Sequence, residues 1–254
     1  MPRVTGLLEP NEARIGDLRE PARLRRTRRV PLWAPLLVVA LLAGGGRAAW
    51  EVIHRPERIT DVALSGARSP VPLDVVLLLD ESGSFAAYES VRAEAITQLT
   101  DWAPANLRAD DTLTVVAFTD EAVVRMPTTT VGELAARGAP LSAARAPGAG
   151  TSILPALRTA LGNVADTGHP RTVIAITDTM VGDADPDAAA EAAARLDAIT
   201  MTTITPSGVA VTPGWRDAFP WAHHVDADAD SAGSTSLAIA EALAHATGQR
   251  VVRR

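Results

Sequence analysis

The sequence predicts an α/β fold, a doubly wound and mostly parallel open sheet with one antiparallel edge strand, preceded by one N-terminal transmembrane helix. Three observations carry this. "VVLLL" (Val75 to Leu79) is a continuous aliphatic run, the pattern of a parallel strand covered on both faces. From Asp74 to Gly248 such runs alternate with stretches of helical apolar spacing. Ahead of them, an apolar run follows directly on a cluster of arginines.

Taken in order, the first strand is followed by a helix over Phe85 to Trp102, with Val91, Ala95, Leu99 and Trp102 on one stripe. "TLTVVAF" (Thr112 to Phe118) and "AVVRM" (Ala122 to Met126) are two strands joined by the hairpin turn "TDE", which makes the second of them antiparallel. "TSILPALRTALGNV" places Ile153, Leu157, Leu161 and Val164 at helical spacing, with Pro155 tolerated in the first turn. "TVIAIT" (Thr172 to Thr177) is the next strand. A helix then starts at Pro186 behind Asp185 as N-cap. "ITMTTIT" (Ile199 to Thr205), a short strand near Ala222 to Val225 and a helix from Ser234 to Gly248 complete the alternation.

The N-terminal part divides into an Arg-rich tail (1–29), an apolar anchor (30–46) and a spacer (47–72) rich in charges and turn formers, ahead of a domain over 73–250. Before residue 31 there are eight arginines against four acids; from residue 51 onward 26 acids face 15 arginines. The anchor, "VPLWAPLLVVALLAGGG", is bracketed by Trp33 and Trp50 and reaches roughly 25 Å as a helix, the short end of a bilayer span. The preceding arginines place the N-terminus in the cytoplasm and the acidic domain outside. A cleaved secretory signal and a twin-arginine signal at "TRRVPL" are competing readings, and both also export the domain. The acidic remainder argues against a nucleic-acid partner. The chain has no cysteine, hence neither disulfides nor thiolate metal ligands, and no lysine; arginine in its place, with abundant alanine, suggests a GC-rich bacterial genome.

In open α/β sheets, ligands bind beyond the carboxyl ends of the strands where the strand order reverses. Three loops fall at that edge: "DESGS" after the first strand, "GAGTS" before the second helix and "TDT" after the fourth strand. They offer Asp80, Ser82, Ser84, Thr151 and Asp178. All five are hard oxygen donors, a set suited to Mg²⁺, Mn²⁺ or Ca²⁺ and unsuited to zinc. Two carboxylates and three hydroxyls do not fill an octahedral shell, so water or a carboxylate from another molecule takes the open position.

These residues, in this order and spacing, resemble the metal-ion-dependent adhesion site of von Willebrand factor type A domains, over about residues 72 to 250. The resemblance implies that Ser82 and Ser84 ligate the metal directly, and Thr151 directly or through water. It implies that Asp80 and Asp178 act mainly through waters and hydrogen bonds, and that a partner protein's Glu or Asp completes the shell. One departure is Thr179, where the family often has glycine, which is expected to crowd the ligand's approach.

The function expected is therefore membrane-anchored, extracytoplasmic, metal-dependent protein binding, with no catalysis. A serine hydrolase would want G-x-S-x-G around Ser82, an aspartyl phosphatase a second acid at position 82, and a P-loop a lysine after "GAGTS". The alternative is a metal-independent assembly subunit or scaffold of a membrane or AAA+ ATPase-linked complex, as some bacterial relatives of that family are. Two acidic tracts could supply further calcium or metal ligands and are read instead as turns. "GDADPD" (Asp183, Asp185, Asp187) is a turn with a helix cap. "HHVDADADSAG" (His223, His224, Asp226, Asp228, Asp230) fails the calcium-loop pattern, with Ser231 at the required glycine and Leu237 at the required glutamate.

Overall fold

The computed structural model describes residues 56–139, 141–142, 148, 150–164, 167–183 and 185–254, which fall within one compact unit, Arg55–Arg254. The Arg-rich tail, the apolar anchor and the first part of the spacer lie outside the described residues; among the described residues no helix is long and apolar enough to cross a membrane.

In chain order the elements are β1 (Val62–Ser65), β2 (Asp74–Asp80), α1 (Glu89–Trp102), β3 (Thr112–Phe118), β4 (Ala122–Thr130), α2 (Val131–Arg137), α3 (Ile153–Asn163), β5 (Arg171–Ile176), α4 (Pro186–Arg195), β6 (Ala198–Pro206), α5 (Pro213–Ala218), β7 (His223–Ala227), α6 (Ala232–Thr247) and β8 (Arg250–Arg253). Six strands form one sheet in the order β4-β3-β2-β5-β6-β7, parallel except for β4, which runs antiparallel to β3. The chain leaves β2 to one side for β3 and returns on the other side as β5, so the strand order reverses at the carboxyl end of β2.

Every residue of β2 is buried, because each face of the sheet carries its own core. Val75, Leu77 and Leu79 pack with Leu99 and Trp102 of α1 and Ile239 and Leu243 of α6. Val76 and Leu78, on the opposite face by strand alternation, pack with Ala156 and Leu157 of α3, Ala192 of α4 and Trp215 of α5. At about 25 cal/mol per Å² of apolar surface removed from water, these two layers are the main source of the fold's stability.

The structure departs from the sequence expectation in four places. The first helix is shorter: Gly83–Tyr88 is a 3₁₀ segment, and Arg92 and Ile96, not Val91, join the buried stripe of α1. β4 continues past Pro127 to Thr130, which an edge strand allows because the missing N–H has no ladder bond to lose; the β3–β4 register shifts there. α2 follows directly, opened by a capping box in which Thr130 and Glu133 bond each other's backbone N–H. Finally, residues 62–65, within the stretch read as spacer, form β1 and pair antiparallel with β8, which starts at the expected end of the domain, Arg250, and runs past it. Trp102 Nε1 donates to the Val62 carbonyl at 2.8 Å, which fastens this ribbon to α1.

Candidate metal centre

Asp80 closes β2 between Phe118, the last residue of β3, and the end of β5, so the three loops that follow these strands lie side by side. Its carboxylate is fully buried. One oxygen accepts from the Ser82 backbone N–H at 2.9 Å, and the other accepts from the Thr177 hydroxyl at 2.6 Å. Thr177 Oγ1 in turn accepts from Thr179 N at 2.9 Å, so the first and third loops are joined through one buried threonine.

Ser82 and Ser84 follow Asp80 at alternate positions, Ser82 buried and Ser84 exposed, with their hydroxyl oxygens 3.2 Å apart. The 3₁₀ segment that carries Ser84 is held from below: buried Arg92 donates to the Phe85 carbonyl at 2.7 Å and lies over the Phe85 ring. Gly83 N donates to the Gly148 carbonyl at 3.0 Å, which draws the "GAGTS" segment against the serines. Gly148 is required there. A Cβ on it would lie 2.5 Å from Thr119 Cβ, which no side chain tolerates.

Half-buried Thr151 enters through its backbone. Its carbonyl accepts from Gly182 N at 2.8 Å, and the next residue, Ser152, donates its N–H to the Thr119 carbonyl at 2.6 Å. Asp183 completes this tie. Its carboxylate accepts from the backbone N–H groups of Ile153 and Leu154 at 3.1 Å and from the Ser152 hydroxyl, capping α3 from the neighbouring loop. Asp178 is buried and one oxygen accepts from Met180 N at 2.9 Å, a turn that leaves Met180 exposed on the rim.

Burial pushes the Asp80 carboxyl pKa up; its hydrogen bonds to Ser82 and Thr177 pull the other way, and the Asp178 charge adds to the rise. Burial pushes the Arg92 guanidinium down, opposed by the charges of Asp80 and Glu81. The site thus holds two neighbouring carboxylates, one of them strongly desolvated. A divalent cation would remove both penalties.

The donor set fits such an ion. Among the described residues no three His, Cys, Asp or Glu side chains gather to hold a metal, so hydroxyls have to supply part of the shell. Adjacent oxygens around an ion are about 3.0 Å apart for Mg²⁺ and about 3.4 Å apart for Ca²⁺, given their usual ligand distances. The Ser82–Ser84 separation of 3.2 Å falls between these values.

The structure therefore brings Asp80, Ser82, Ser84 and Asp178 together and places the Thr151 backbone beside them. It also adds residues that sequence reasoning missed, Thr177, Arg92 and, within the first loop, Glu81 paired with Arg125 of β4, and it makes Asp183, read as part of a turn, the cap of α3. Thr179 does not crowd the mouth of the site. It is fully buried, its hydroxyl accepts from Thr212 N at 3.0 Å, and its carbonyl accepts from the Thr212 hydroxyl at 2.7 Å. Asp185 caps α4 through Ala188 N, as expected. The "DADAD" tract begins as the end of β7 (Asp226, Ala227) and continues as a turn in which Ser231 caps α6 and Ser234 Oγ accepts from Asp228 N.

Residues 75–181 match the family model of the von Willebrand factor type A domain. A comparison by sequence with curated proteins finds no match. Among solved structures, the von Willebrand factor type A protein of Catenulispora acidiphila superposes with a TM-score of 0.53 at 18% identity, over 74% of this chain and 50% of that one. Proximal thread matrix protein 1 of the mussel byssus superposes with a TM-score of 0.53 at 15% identity, over 70% of this chain and 49% of that one. The chain thus spans about half the length of these neighbours, and they share its fold: an α/β domain with a mostly parallel central sheet and one antiparallel strand.

Proposed function

We propose that this protein is a metal-dependent protein-binding module, anchored in a bacterial membrane by its N-terminal apolar run, with the α/β domain outside the cytoplasm. In this reading Ser82, Ser84 and Thr151 offer hydroxyls to a divalent cation, Mg²⁺ or alternatively Mn²⁺ or Ca²⁺. Asp80 and Asp178 orient that shell and balance its charge. The remaining position is filled by a Glu or Asp carboxylate of a protein partner. The chemistry is binding and not catalysis: the ion supplies a strong, directional contact, and the acidic domain disfavours indiscriminate anionic ligands.

The observation that carries the reading is the pair of serine hydroxyls 3.2 Å apart above the buried Asp80 carboxylate. Calorimetric titration of Mg²⁺ and Mn²⁺ into the full-length chain tests it, beside Ser82→Ala and Asp178→Ala. Saturable binding lost in both variants supports the metal site; wild-type binding that survives in either variant refutes the assignment. Protease treatment of intact cells tests the topology, with digestion of the domain expected from outside.

A further inference from the structure

His223 is the first residue of β7, the edge strand of the large sheet, and His245 lies in the last turn of α6. Both imidazoles are exposed, their ring centroids are 5.8 Å apart and their planes are inclined by 30°. Among the described residues neither makes a hydrogen bond or an ion pair, so both rings keep a nitrogen lone pair for an external ligand.

We propose that His223 and His245 form a second metal site, a two-imidazole chelate for a borderline divalent transition ion such as Zn²⁺ or Ni²⁺. Two imidazoles bound to one such ion at about 2.0–2.1 Å have ring centres roughly 4.5–5.3 Å apart for ligand angles of about 90–110°, so side-chain rotation has to bring the two rings about 0.5–1.3 Å closer than the observed 5.8 Å. The donors differ in kind from those at the candidate metal centre. That site offers only oxygens, which suit hard ions, whereas neutral imidazole suits Zn²⁺ and Ni²⁺ and is a poor ligand for Mg²⁺ and Ca²⁺.

The supports of the two rings are rigid. β7 is hydrogen-bonded along β6 from Thr202↔His223 to Pro206↔Ala227. His245 follows directly on Leu243 and Ala244, which are buried against the sheet, so the last turn of α6 is fixed in place. An ion held by both residues would therefore bind with little loss of conformational freedom and would clamp the end of α6 to the sheet edge. With no third His, Asp or Glu gathered there among the described residues, water fills its other positions. The neighbouring His224 is not a ligand. It alternates to the other face of the strand and is partly buried, and that burial pushes its pKa down.

Zn²⁺ titration of the untagged full-length chain, followed by calorimetry and by thermal unfolding, tests the proposal. The wild type is expected to bind saturably and to unfold at a higher temperature with Zn²⁺, because the ion binds the folded state. His223→Ala and His245→Ala should each weaken binding about tenfold or more and remove the thermal shift, while His224→Asn leaves both intact. Because both residues are exposed, the variants should fold; His245→Gln, which preserves helix propensity, gives the same loss by an independent route. Ser82→Ala should leave this Zn²⁺ binding unchanged, so failure of the oxygen site and failure of the histidine site are told apart. Zn²⁺ affinity within twofold of wild type in both histidine variants, or no saturable binding in the wild type, overturns the proposal.

Discussion

The Arg125 guanidinium on β4 pairs with the Glu81 carboxylate beneath the candidate metal centre, with only 7% and 8% of the two side chains exposed. Arg125 also donates from Nε to the Ser142 carbonyl at 2.7 Å, and Ser142 N returns a bond to the Arg125 carbonyl at 2.8 Å. One arginine therefore joins the "DESGS" loop, the edge strand and the segment leading to "GAGTS".

Removing one partner of a buried pair strands the other charge, which typically costs about 3–5 kcal/mol. Arg92, whose charge also faces Glu81, softens the loss, so Arg125→Met is expected to destabilise the fold by about 3 kcal/mol. Adding Glu81→Gln should recover most of that. Chemical unfolding of the single and double variants measures both changes. Equal losses in the two would show that the pair itself is not the cause.

Asp80 links the site to pH. Its pKa is raised in the metal-free fold, mainly by burial, so the folded state binds this proton more tightly than the unfolded chain. The resulting stability is fully present below the ordinary value of 3.8 and is lost as pH rises through the raised folded value. Near neutrality the metal-free protein therefore carries a desolvated anion as a penalty. Asp80→Asn is expected to raise the unfolding temperature without metal and to abolish the gain on adding Mg²⁺. A metal-free melt below that of wild type would count against this.

Asp80, Ser82, Ser84 and Asp178 were legible because they follow on the ends of aliphatic runs, Thr151 because it stands just ahead of a helical pattern, and the strands because their runs are continuous. Arg125 and Glu81 were not, because a pair 44 positions apart leaves no local pattern. β1 and β8 were hidden for a related reason. "VALS" and "RVVR" are four-residue strands that, among the described residues, pair with each other across the domain. α2 was legible in principle, since Thr130 and Glu133 have capping-box spacing, but Pro127 just ahead of them reads as a stop. Thr177 looked like strand; its role emerges only when β5 is laid beside β2.

Thr179 adopts φ 61°, a left-handed backbone that costs a β-branched residue about 1–2 kcal/mol. Its hydroxyl offsets this by accepting the partly buried Thr212 N–H, a bond worth about 1 kcal/mol. Thr179→Gly removes both terms and is expected to change stability by less than about 1 kcal/mol. Thr179→Val keeps the strain and leaves Thr212 N unpaired, so it should cost about 1–3 kcal/mol. Thermal unfolding of the two variants side by side decides it, and a valine variant as stable as the glycine variant would contradict the account.

Gly233, in the first turn of α6, lets the segment ahead of β1 lie directly on that helix. A Cβ there would sit 1.9 Å from the Glu57 carbonyl oxygen. The same segment buries Ile59 completely and hydrogen-bonds Ile59 N to Ser236 Oγ at 3.3 Å. Helix propensity alone favours alanine over glycine by about 1 kcal/mol, whereas overpacking against backbone costs about 1–3 kcal/mol. The overlap wins because a peptide carbonyl cannot swing aside as a flexible side chain can, so Gly233→Ala is expected to destabilise the full-length chain. In a chain beginning at residue 73 the obstructing carbonyl is gone and the same substitution should become neutral or stabilising. Circular-dichroism melts in both backgrounds read that change of sign. An equal loss in both would mean that residues 56–65 do not pack on α6 in solution.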